Sequence, residues 1–139
     1  MLFRSYNFKD ETFTNTEIYQ KFIRENPTEG YLKIRAYAAS QAIPISGLNI
    51  TISKLIDNTK VIFFEGATNE SGIIERIVLP APRLLETNLD APNSTEYDIT
   101  ATYSPDNLDT VYKVKIYENV YVIQNIGVVP EIGMNQGGI

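Results

Sequence analysis

Residues 30–52, together with the turn Thr68-Asn69-Glu70-Ser71-Gly72, constrain what this chain can fold into more than any other feature. In GYLKIRAYA, Leu32, Ile34 and Ala36 alternate with Lys33, Arg35 and Tyr37, and in GLNITISKL the apolar set is Leu48, Ile50 and Ile52. Successive side chains of a strand point to opposite faces, so a period of two predicts strands with one face on a core and the other in water. The pattern returns in Tyr97, Ile99, Ala101 and Tyr103 against Asp98, Thr100 and Thr102. Beyond the turn residues Pro105-Asp106-Asn107, further strands are expected over Thr110–Tyr117 and Val120–Val129, the last closed by Pro130. KVIFFEGATNESGIIERIVLPAP reads as a hairpin turning at Thr68–Gly72, and the proline-containing stretch Pro80–Thr95 as a surface loop crossing between sheets. Strands at this spacing predict an all-β fold, a seven-stranded antiparallel sandwich over residues 30–130.

Residues 1–29 form an N-terminal arm of different character. Thr14 and Glu17 have capping-box spacing, and Ile18, Tyr19, Phe22 and Ile23 fall on one stripe before Pro27, which predicts a short helix over about 15–25. Four of the six phenylalanines, Phe3, Phe8, Phe13 and Phe22, lie here beside Leu2, Tyr6, Ile18, Tyr19 and Ile23. Burying one such side chain is worth roughly 1.5–3 kcal/mol. The arm is therefore expected to dock, on its own sandwich or on a neighbouring subunit, with Phe3, Phe8, Phe13, Ile18, Tyr19, Phe22 and Ile23 making the contacts. Val61–Ile62, Phe63–Phe64, Ile73–Ile74, Ile77–Val78 and Val120–Ile123 look apolar on both faces, so part of the outer surface is expected to be covered. The aperiodic, Gly-rich residues 131–139 read as a flexible tail.

Two motifs carry a family resemblance. Pro44-x-x-Gly47-Leu48-Asn49-Ile50-Thr51-Ile52 is similar to the Pro-x-x-Gly-Ala-x-Val-x-Ile strand of transthyretin-like, or carboxypeptidase-regulatory-like (prealbumin-like), domains, and Thr68-Asn69-Glu70-Ser71-Gly72-Ile73 is similar to their Thr-Asp-x-x-Gly turn. Leu79-Pro80-Ala81-Pro82 resembles the form found beside peptidoglycan-directed modules of spore-forming Firmicutes, including spore cortex-lytic proteins. The resemblance spans about 30–130 and implies a transthyretin-like or Ig-like sandwich, with Pro44, Gly47, Thr68, Asn69 and Gly72 as its fold motif. Gly72 suits a positive φ, Gly47 a close approach, and Asn69, where the family more often has Asp, bonding to backbone two residues on.

Chemistry is limited by what the chain lacks. Twelve basic against 17 acidic residues give a net charge of -5, and there is no cysteine, histidine or tryptophan. That charge repels phosphate backbones and anionic headgroups, so neither nucleic acid nor a membrane is an expected partner. No stretch approaches the ~20 apolar residues of a membrane span, and the first residues hold no apolar run of signal length, which predicts cytoplasmic synthesis without a signal peptide. A serine nucleophile would have no imidazole base, and a zinc site needing histidine or thiolate cannot be built. Hydroxyisourate hydrolases share the transthyretin fold and resemble one another in histidines and a C-terminal Tyr-Arg-Gly-Ser. This chain has no histidine and reads Asn135-Gln136-Gly137-Gly138-Ile139 at the corresponding end, so that activity is not expected. Glu65, Glu70 and Glu75 remain for acid–base work, but isolated acids on strand edges ordinarily guard against edge pairing. Asp106, Asn107 and Asp109 lack the spacing of an EF-hand loop. Lys33 and Asn125, candidates for the Lys–Asn amide cross-link of related Gram-positive surface domains, have no supporting local motif. No catalytic residue, metal or cofactor is expected.

Two surface strips stand out: Tyr31, Lys33, Arg35 and Tyr37 on one face, and Lys113, Lys115 and Tyr117 on another. They are either ordinary solvent-facing strand positions or a surface for a glycan or an acidic partner. With the arm composition, the function expected is a non-enzymatic structural subunit of a phage or phage-tail-like particle, as a capsid decoration, tail or baseplate component. Its arms would bind neighbouring subunits, copies of itself included, and it would end in a virion. The alternative is a module that binds the cell wall, peptidoglycan or another glycan.

Overall fold

A computed structural model describes residues 5–38, 43–85, 92–102 and 110–128. The elements run β1 (Ser5–Asn7), α1 (Glu11–Thr14), α2 (Glu17–Glu25), β2 (Thr28–Ala38), β3 (Ile43–Pro44), β4 (Asn49–Ile56), β5 (Thr59–Ala67), β6 (Ile73–Ala81), β7 (Thr95–Thr102), β8 (Thr110–Ile116) and β9 (Tyr121–Gly127). They build two sheets. The large one has the order β1-β5-β4-β7-β8, and the small one is centred on β2. Strand β9 lies along one side of β2, while β6 and then β3 take the other. The alternating residues meet between the layers: Leu32, Ile34, Ile50, Ile52, Leu79, Tyr97, Ile99 and Ile116 are at most 1% exposed. This is the all-β sandwich that the sequence predicts, with seven long strands, β2 and β4 to β9. It is not wholly antiparallel, because β9 runs parallel to β2 and β1 parallel to β5. The chain enters β9 by crossing from the large sheet to the small one after β8, so no hairpin fixes its direction.

The stretch expected to be a hairpin at Thr68–Gly72 is also a crossing, since β5 belongs to the large sheet and β6 to the small one. Side chains hold this arch. The buried Thr68 hydroxyl donates to the Ile45 carbonyl at 2.6 Å and accepts from the Leu48 amide at 3.0 Å. Asn69 Oδ1 accepts from the amides of Ser71 at 2.9 Å and Ile73 at 3.0 Å, the role expected of it. Gly72 has a φ of 75°, and a Cβ there would run into the Ala36 carbonyl. Gly47 departs from expectation: its φ is 78° but a Cβ would meet nothing within 4 Å, so it serves a left-handed turn and not a close approach. Pro44 sits in the two-residue β3 opposite Tyr37. A hairpin joins β4 to β5 through Asp57-Asn58, at φ 50° and 64°, the two positive values of a type I′ turn.

Two β-bulges interrupt the ladders, and one of them accounts for the apolar pair Phe63–Phe64. Between Ile52 and Ser53 the register of β5 slips, so Phe63 is the extra residue and both Phe63 and Phe64 pack against the core. A second slip, between Leu32 and Ile34, lies opposite Glu75 and Arg76. Strand β6 runs on to Ala81, so Pro80 is not in a loop; it pairs with Glu29 on an edge strand, where a missing amide is tolerated. The last strands are shorter than expected, with β8 ending at Ile116 and β9 at Gly127.

The arm folds back onto its own sandwich. Helix α2 is capped by Thr16, whose hydroxyl accepts from the Tyr19 amide at 3.2 Å, while Thr14 ends α1; the Thr14–Glu17 capping box does not form. Asn15 and Thr16 turn the chain between the two helices, which delays the start of α2. Ahead of them β1 adds to the large sheet, with Tyr6 beside Val61. Phe8 stacks on Phe63 at 4.5 Å between ring centroids and touches Phe13, Tyr19 and Phe22; Phe63 in turn meets Tyr97 edge-on at 5.0 Å. Phe13 and Phe22 are buried, and Ile18, Tyr19 and Ile23 half-buried. Phe8, Phe13 and Phe22 are thus engaged within one chain. Phe3, the turn at Pro105–Asp109 and the tail at 131–139 lie outside the described residues.

Candidate functional site

Alternation along β2 sends Tyr31, Lys33, Arg35 and Tyr37 to the outer face of the small sheet. Register sets Tyr121, Ile123, Asn125 and Gly127 of β9 beside them, and Val78 of β6 opposite Tyr31. Val78, Tyr121 and Ile123 are 45%, 47% and 54% exposed. The Arg76 guanidinium lies over the Tyr31 ring at 4.3 Å, the Tyr31 and Tyr121 rings are 6.2 Å apart, and the Tyr121 hydroxyl donates to the Glu75 carbonyl. Lys33 Nζ is 3.4 Å from the Glu75 carboxylate, which is 70% exposed, so the pair contributes little. Lys33, Arg35 and Arg76 against Glu75 make this face locally positive on a chain of net charge -5.

The second strip does not adjoin the first. Lys113 and Lys115 are on β8, at the far edge of the large sheet, opposite Asp98 and Glu96 of β7. Lys113 Nζ is 2.8 Å from Asp98, whose hydrogen bond and charge hold the ammonium above its ordinary value. Tyr117 follows the end of β8 and is half-buried. The Thr51–Thr100 and Asn49–Thr102 pairs lie in the same sheet, where Leu55 and Val111 are also exposed.

The acids are not brought together. Glu65 pairs with Thr51 in the large sheet, Glu70 is in the arch, and Glu75 is on the small sheet. Lys33 is registered with Ile123, and Asn125 with Arg35, on an exposed face. Among the described residues no three His, Cys, Asp or Glu side chains are grouped to hold a metal, and no helix is long and apolar enough to cross a membrane. Tyr97 is fully buried; burial pushes its hydroxyl well above the ordinary tyrosine range, and it donates to the Pro80 carbonyl at 2.5 Å. A groove of about 560 Å³ separates the arm from β6, lined by Phe8, Ile23, Phe63, Phe64, Arg76 and Val78 among others.

Sequence reasoning found the β2 half of the outer face, flagged Ile77–Val78 and Val120–Ile123 as apolar on both faces without placing them beside β2, and missed Arg76. The apolar run Val120–Ile123 was the available signal, but its pairing beside β2 depends on the sheet crossing. No family model and no curated protein sequence matches the chain. Among solved structures it is similar to 5-hydroxyisourate hydrolase of Klebsiella pneumoniae, at 14% identity and a TM-score of 0.43 over 71% of this chain and 87% of that one. It is also similar to transthyretin of Sparus aurata, at 11% identity and TM-score 0.43 over 70% and 90%, and to an (S)-allantoin synthase, at 12% and 0.45 over 76% of this chain but 45% of that one.

Proposed function

We propose that the protein is a non-enzymatic structural subunit of a phage or phage-tail-like particle and docks on neighbouring proteins through the outer face of the small sheet. The observation that supports this is the outer face of the small sheet, where exposed Val78, Tyr121 and Ile123 surround the Tyr31–Arg76 stack. Aromatic and arginine side chains with exposed aliphatic neighbours are the composition of protein contact surfaces. With the arm engaged in its own chain, docking falls to this face. The particle setting is an inference from the compact sandwich and the absence of histidine and cysteine. Affinity capture of particle proteins encoded beside this gene is the test. The parent chain is expected to retain them, and Tyr121→Ala with Val78→Ser to weaken retention at least ~10-fold, about 1.4 kcal/mol. Failure of the parent chain to capture any of them overturns the proposal.

A second function, glycan or peptidoglycan binding, is favoured by one observation, the intact Tyr31, Lys33, Arg35 and Tyr37 strip. Against it, one face of Tyr31 is already taken by Arg76. Pull-down on purified peptidoglycan, repeated with Lys33→Ala and Arg35→Ala, separates the two functions; absence of binding by the parent removes the glycan case.

A further inference from the structure

The sandwich presents several sheet edges, and they differ in how they are protected. On the large sheet, β8 carries Lys113 and Lys115, and β1 is three residues long. On the small sheet, β6 carries Glu75, Arg76, Pro80 and a bulge, each of which discourages an added strand. Strand β9 has none of these devices. Its seven residues, Tyr-Val-Ile-Gln-Asn-Ile-Gly, contain no charge and no proline, and its pairing with β2 is without a register shift.

The backbone of β9 has a defined polarity. The Val120 carbonyl accepts from the Tyr31 amide at 2.9 Å and the Val128 amide donates to the Tyr37 carbonyl at 2.8 Å, so the even-numbered residues aim their backbone groups at β2. Amide and carbonyl directions alternate along a strand. Those of Tyr121, Ile123, Asn125 and Gly127 therefore point to the opposite edge, where no strand pairs among the described residues. The Asn125 carbonyl accepts from its neighbour Gln124 Nε2 at 3.1 Å.

We propose that this edge pairs with the β9 of a second copy, antiparallel across a two-fold axis at Gln124. A two-fold axis sets a strand against its own copy, so a charged edge would bring like charges together; β9 alone among the long edges is uncharged. Centring on Gln124 is the register that employs all four outward residues, pairing Tyr121 with Gly127 and Ile123 with Asn125. The two small sheets then become one continuous sheet with Tyr121 and Ile123 near its middle. This inference stands on the edge geometry and is independent of any particle.

Gln124 would face its own copy at a non-hydrogen-bonded position, with Cα atoms about 4.5 Å apart, within disulfide range. The chain has no cysteine, so Gln124→Cys in the full chain gives an unambiguous readout under mild oxidation. The Gln124→Cys variant is expected to cross-link to twice 15.7 kDa, and Tyr121→Cys, whose copies would be roughly 20 Å apart, is expected not to. Light scattering on the unmodified chain is expected to give the dimer mass, and Ile123→Lys, folded by circular dichroism, the monomer mass. A monomer at every concentration, equal cross-linking of both cysteine variants, or cross-linking at position 124 only after removal of residues 129–139 overturns the proposal; the last would mean that the chain's own tail holds the edge.

Discussion

Replacing Phe22 by alanine tests whether the arm is part of the sandwich core. Phe22 is 4% exposed, belongs to the main cluster, and meets Phe8 at 5.9 Å and Phe63 at 5.6 Å. Removing a buried phenylalanine costs about 3–5 kcal/mol, the transfer loss plus the cavity left behind. At roughly 3–5 °C per kcal/mol for a chain of this size, the thermal midpoint should fall by about 10–20 °C. Urea unfolding followed by circular dichroism measures the loss directly, and the slope of the transition should not change. Ile18→Ala, on the half-buried side of the same helix, should cost nearer 1 kcal/mol. Because the arm packs within one chain, the difference between parent and Phe22→Ala should not change with protein concentration. A loss below about 1 kcal/mol would refute the reasoning, as would a difference that grows with concentration, since docking between chains follows mass action.

Thr68→Val keeps the shape of the side chain but removes both hydrogen bonds at the arch; with the Leu48 amide left unpaired, equilibrium unfolding should show a loss of about 2–3 kcal/mol. Tyr97 gives an alkaline limit. Its folded pKa lies above the ordinary value near 10, so the stability it contributes is fully present below pH 10 and is lost as pH rises beyond it, by up to about 1.4 kcal/mol per pH unit. A Tyr97→Phe chain should be weaker at pH 8, lacking the Pro80 bond, but should lose less stability between pH 10 and 11 than its parent.

Alternation made the layers legible, because Leu32, Ile34, Ile50, Ile52 and Ile99 carry a period of two that only a half-buried strand explains. Connections were less legible. Thr68–Gly72 has the composition of a tight turn, yet the same residues serve an arch between layers, since a side chain that caps local amides does so whichever sheet the next strand joins. Asp57-Asn58 makes a hairpin turn with a weaker signal than Asn-Gly. Phe63-Phe64 could not be assigned to faces without the bulge, which depends on long-range pairing. The candidate face was half visible: the β2 strip is local, whereas Arg76, Tyr121 and Ile123 reach it through neighbouring strands.

The parallel pairing of β1 with β5 has a consequence for synthesis. Ser5 is registered with Lys60, so the strand that receives the arm leaves the ribosome 55 residues after the arm itself. At roughly 5–20 residues per second that interval is about 3–11 s. Throughout it, Phe8, Phe13 and Phe22 have no sheet to pack on. Aggregation during expression should therefore depend on how quickly β4 and β5 close around Asp57-Asn58, which makes that two-residue turn a control point for the fate of the arm.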